Sequence, residues 1–104
     1  MPKVFVINNS THDYSKAVRF GTIVNVTEGN VPIFKTDVIK GMLKKALVDF
    51  TEDDFLLIAG PTLLCIMAYQ EVYEILKEKF SAIEIKLLIF DAKEQDYTVR
   101  HLSA

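Results

Sequence analysis

Apolar residues fall along this chain in two rhythms, and the switches between them predict its elements. Val4 to Ile7 is an unbroken apolar run, the pattern of a strand covered on both faces in a parallel sheet. A short helix follows near Tyr14 to Phe20, with a cap from Ser10 or Asp13 and a stop at Gly21. Thr22 to Val26 is the second strand. From Thr36 to Phe50 the residues Val38, Ile39, Met42, Leu43, Ala46, Leu47 and Phe50 keep helical spacing, while Lys40, Lys44, Lys45 and Asp49 point elsewhere. Phe55 to Ala59 is the third strand, Gly60-Pro61-Thr62 turns the chain, and a long helix runs from about Leu63 to Phe80. Ile83 to Phe90 is the fourth strand. After a polar loop from Asp91 to Asp96, Tyr97 to Leu102 returns as an antiparallel edge strand.

The order β-α-β-α-β-α-β-β with right-handed crossovers predicts an α/β fold: a single small doubly wound (Rossmann-like) domain over residues 1–104. Its sheet is mainly parallel, with an antiparallel C-terminal edge strand. A length of 104 residues at 50% hydrophobic composition can bury one core and leaves no room for a separate substrate domain. With strand order 2-1-3-4-5, the first and third strands meet at the switch point, and their carboxyl ends open into residues 8–14 and 60–62. The end of the second strand, Thr27-Glu28-Gly29-Asn30, borders the same crevice.

Charge narrows the ligand. Twelve basic and fourteen acidic residues give a net charge of −2, which argues against holding a long nucleic acid by neutralising its phosphates. A mononucleotide needs far less, because backbone amides can supply the positive end. Cys65, the only cysteine, excludes an intrachain disulfide and a cysteine-rich metal site, and within Leu63-Leu64-Cys65-Ile66-Met67-Ala68 it reads as a small buried hydrophobe. The apolar runs are shorter than the roughly 20 residues that cross a bilayer, so a soluble, cytoplasmic protein is expected.

The candidate chemistry is concentrated in the turn after the first strand. Asn8, Asn9, Ser10, Thr11, His12, Asp13 and Tyr14 crowd donors, acceptors and a titratable ring where an α/β domain keeps its ligand. Such residues also form turns and caps, yet the run exceeds what one cap requires. Thr27 joins them from the second strand. Gly60, Pro61 and Thr62 read either as a tight turn or as an anion site at the start of the long helix, with the Thr62 hydroxyl assisting. Neither GxxxxGK[ST] nor GxGxxG occurs. His101 is expected at the opposite end of the sheet from His12, against a two-histidine mechanism. Glu52-Asp53-Asp54 reads as a solvated turn, and no metal or cofactor is expected. The start of the last helix, Leu63 to Tyr69, is apolar on nearly every side and predicts a homo-oligomer.

The segment VFVINNSTHDYSKAVRFG, with VTEG following, resembles the opening of small phage-encoded α/β proteins that carry an Asn-rich S-x-H-D-[YF]-S turn after the first strand. The resemblance covers most of the chain, and its specific part is residues 8–21. By analogy of size and origin it implies a counter-defence sponge in the host cytoplasm, one that sequesters a nucleotide-derived immune signal without destroying it.

Two readings follow. In the first, residues 8–14 with Thr27 and residues 60–62 bind a phosphate-bearing or nucleotide-derived small molecule and nothing turns over. In the alternative, the chain is a small nucleotide hydrolase or phosphodiesterase, with His12 as general acid/base and Ser10, Thr11 or backbone amides stabilising charge.

Overall fold

The computed structural model describes residues 1–10, 12–79 and 83–103. Five strands form one sheet in the order β2-β1-β3-β4-β5: β1 Lys3–Asn9, β2 Thr22–Glu28, β3 Phe55–Leu57, β4 Glu84–Asp91 and β5 Asp96–Ser103. All neighbours run parallel except the final pair, which is antiparallel. The α/β architecture, the strand order and the antiparallel edge are those the apolar pattern predicts.

The two faces of β1 divide the core. Phe5 and Ile7 point to the layer of α1 (Thr36–Ala46) and α2 (Thr62–Lys79), where Ile39, Leu43, Leu64, Ala68, Val72 and Leu76 are buried against them. Val4 and Val6 point the other way, toward Tyr14, Ala17, Leu57, Leu88 and Tyr97. That face is covered by a six-residue 3-10 helix, Ser15–Phe20, where an α-helical turn is expected from the pattern. No side chain caps it; Asp13 Oδ1 instead accepts a 2.8 Å bond from the Ser15 amide. It stops at Gly21, where a Cβ would stand 2.3 Å from the Pro2 carbonyl oxygen. That oxygen accepts from the Thr22 amide and starts β2, so only glycine lets the chain pass.

Several boundaries move for packing reasons. The helix expected over 36–50 ends at Ala46, and Leu47 and Phe50 complete the core from a turn closed by Phe50 N–H to Leu47 C=O at 2.9 Å. Val38 and Met42, on the apolar side of the pattern, are exposed. Asp54 is no solvated residue. It is buried, and its carboxylate accepts from the Lys3 and Thr51 amides at 2.8 Å each, stapling the start of β1 to the turn before β3. Leu64 is wholly buried, so the outward apolar surface at the start of α2 consists of Leu63 and Ile66. No helix among the described residues is long and apolar enough to cross a membrane.

Candidate functional site

Where β1 passes out of the sheet, its polar residues divide into two groups. Asn8 and Asn9 belong to the strand, paired with Thr27 and Glu28 of β2, and not to the turn. Asn8 is buried: its Nδ2 donates to the Thr27 hydroxyl and to the Gly29 carbonyl, both at 3.0 Å. The buried Thr27 hydroxyl donates in turn to the Ile7 carbonyl at 2.7 Å. Asn8 and Thr27 thus lock β1 to β2 beneath the crevice. The Asn9 carbonyl accepts from the Gly29 amide, and the Asn8 carbonyl accepts from the Tyr14 hydroxyl at 3.1 Å, which folds the turn back over the strand.

The second group opens on a cavity of about 610 Å3 at the carboxyl ends of β1, β3 and β4. Its lining comes from three elements. The turn after β1 contributes His12, Asp13, Tyr14 and Lys16; the end of β3 contributes Leu57, Ile58, Ala59 and Gly60; the β4–β5 hairpin contributes Phe90, Gln95 and Tyr97. Such a volume, with apolar walls and a few polar groups, falls in the range of small-molecule pockets in general. Of the candidates read from the sequence, His12, Asp13, Tyr14 and Gly60 therefore converge, whereas Asn9, Ser10, Pro61 and Thr62 stand outside the lining. Thr11 lies outside the described residues.

Gly60 is the hinge of this arrangement. Its φ is +107°, and a Cβ there would meet the Asn8 Cβ at 2.6 Å, so the chain after β3 crosses against β1 only with glycine. α2 then starts at Thr62, with the Pro61 carbonyl accepting from the Cys65 amide. The first amides of a helix have no intrahelical acceptor, and here they begin two residues beyond the cavity wall.

The hairpin residues Phe90, Gln95 and Tyr97 and the helix residue Lys16 do not stand out in the sequence. The signal was topological: the turn after a parallel strand opens at that strand's carboxyl end, so the β4–β5 turn faces the same crevice as the turns after β1 and β3. Side-chain contacts hold it there. Arg19 makes a two-pronged pair with Asp96, at 2.8 and 3.1 Å, and Lys16 Nζ donates to the Gln95 carbonyl.

Local electrostatics follow from these contacts. The Ser15 amide and hydroxyl, with Lys16 nearby, hold the Asp13 carboxyl below its usual range. Asp13 is thus committed to its own turn and does not orient His12, whose ring stands 6.4 Å from that of Tyr14 in an edge arrangement. Burial, with Tyr14 and Asp13 close by, pushes the Tyr97 phenol up and keeps it neutral. Burial also raises the Cys65 thiol. His101 is at the far end of the sheet, with Nδ1 2.7 Å from Glu84 at the start of β4. Among the described residues no group of three or more His, Cys, Asp or Glu side chains is placed to hold a metal ion.

Among protein families, the chain matches the one described as Phage Pam3 gp32-like protein, over residues 2–103. No curated protein and no solved structure matches it.

Proposed function

Since the chain belongs to the Phage Pam3 gp32-like family, and is thus a small phage protein, we propose that it binds a phosphate-bearing or nucleotide-derived small molecule without converting it. The observation that carries this reading is the cavity at the carboxyl ends of β1, β3 and β4, into which residues distant in sequence bring both polar and aromatic groups. Lys16 and His12 on its border provide a cationic and a titratable group for an anion. Beyond Gly60, the first turn of α2 presents amides of the kind that bind phosphate.

Binding without turnover is favoured over the hydrolase by two arrangements. Asp13 spends its carboxylate on the Ser15 amide and gives His12 no orienting partner, and His101 is at the opposite end of the sheet. In a phage protein, holding a nucleotide-derived molecule unchanged is the chemistry of a sponge for a host immune signal, and this is the role we propose. The exposed Leu63 and Ile66 of α2 are the surface through which it self-associates.

Mass spectrometry of the small molecules released on denaturing natively purified protein tests this directly. An intact nucleotide-like molecule, unchanged after long incubation with the protein, is the expected result. His12→Ala should weaken its binding roughly ten-fold to a hundred-fold, since a hydrogen bond to a charged group contributes about 1.5–3 kcal/mol. Time-dependent conversion of added nucleotide, abolished by His12→Ala, would establish the hydrolase instead.

A further inference from the structure

The cavity contains a polar group that no described residue uses. Tyr97 is 8% exposed and lines the cavity. Its backbone is engaged, the amide with the Asp96 carboxylate at 2.7 Å and the carbonyl with Arg19, but its hydroxyl has no hydrogen bond to any described residue. Among the described residues no side-chain nitrogen or oxygen sealed from solvent lacks a partner. With no described partner to seal it, the Tyr97 hydroxyl borders the cavity that the residue lines. Tyr14 differs, because its hydroxyl is spent on the Asn8 carbonyl.

The walls around this hydroxyl select by shape and by charge. Phe90, paired with Tyr97 across the hairpin, is 46% exposed, and the two rings meet edge to face with centroids 5.4 Å apart. Leu57, Ile58 and Ala59 add an aliphatic side. Asp13 on the lining is ionised at neutral pH, since the Ser15 amide holds its carboxyl low. A phosphate inside would face that carboxylate and lose its water to aliphatic and aromatic surface. A planar heterocycle meets neither cost, because its faces stack on aromatic rings whatever its identity. Its edge can also offer an acceptor to the Tyr97 hydroxyl and an N–H to Asp13 Oδ2, the oxygen that the Ser15 amide does not take.

We infer that the cavity is a slot for a planar nitrogen heterocycle, the nucleobase part of the ligand, stacked on Phe90 and hydrogen-bonded by the Tyr97 hydroxyl. This rests on the binding reading above and assigns which part of the molecule enters. The phosphate end stays at the cavity's border, toward Lys16 and His12.

Calorimetric titration separates the two ideas. The probes are the four nucleosides adenosine, guanosine, cytidine and uridine, their 5′-monophosphates, ribose 5-phosphate and inorganic phosphate. At least one nucleoside should bind, and ribose 5-phosphate should bind more weakly than the matching monophosphate. Tyr97→Phe, which keeps the ring, should weaken that nucleoside roughly two- to ten-fold, the worth of one neutral hydrogen bond. Phe90→Ala, at an exposed position where the fold tolerates truncation, should weaken it roughly five-fold or more through lost stacking. If ribose 5-phosphate binds as tightly as the monophosphates, or if both variants bind the nucleoside normally, the base slot is overturned while the phosphate-bearing ligand stands. If no probe binds and denaturation releases no small molecule, both readings fall.

Discussion

Asn8 and Thr27 form a buried joint against which Gly60 crosses, and the cavity rests on it. Thr27→Val keeps the shape but removes the hydroxyl that donates to the Ile7 carbonyl and receives the Asn8 amide. Leaving a buried group without its partner costs about 1–3 kcal/mol. Urea unfolding should show that loss as a lower midpoint with an unchanged slope. Gly60→Ala should cost at least as much, since its Cβ would overlap that of Asn8 and its φ is one that alanine rarely adopts. Cys65 is the opposite case, a residue with chemistry that its surroundings suppress. Its half-buried thiol is raised by burial, with the Ala59 carbonyl 3.7 Å away. Alkylation near neutral pH should therefore be slower in the folded protein than in urea, and equal rates would show an exposed, ordinary thiol.

At the scale of elements, two walls of the cavity are tied together by contact between the 3-10 helix and the β4–β5 hairpin. Arg19 is the link: it pairs with Asp96 through both nitrogens, and its guanidinium lies 4.4 Å from the Phe20 ring centroid. The Arg19 guanidinium, more than any other group, holds the Asp96 carboxyl below its ordinary value. The ionised form is thus favoured by folding. The pair contributes stability above the ordinary aspartate range, and that contribution is lost as the pH falls through the lowered folded value. Asp96→Asn should consequently melt below wild type at neutral pH, with the gap closing in acid. A gap that stays constant from neutral to acid pH would assign the stability to packing alone. Both groups are exposed, so the same gap should shrink in high salt.

For the whole molecule, the apolar surface left uncovered at the start of α2 predicts self-association. Leu63 is 41% exposed and Ile66 60%, while Leu64 between them is core. Light scattering at micromolar concentration should give a multiple of one chain's mass, and Ile66→Glu should return it to one chain with the fold intact. A wild-type mass of one chain would remove the proposal. How far such features are legible in sequence depends on the distance over which they are decided. Val4 to Ile7 and the helix around Ile39 and Leu43 could be read directly, because apolar periodicity is local and handed crossovers leave few orders for the strands. From those two constraints the sequence by itself determined the α/β class, the order β2-β1-β3-β4-β5 and the place where the turns after β1 and β3 meet. Only the tertiary structure decided which polar residues remain available there. Asn8 is consumed by Thr27, 19 residues on, as Asp54 is by Lys3 at the other end of the sheet, 51 residues away, while the Tyr97 hydroxyl reaches the cavity with no partner among the described residues. A hydrogen bond is won by whichever partner the fold brings within about 3 Å, and residue type and spacing along the chain do not encode that distance.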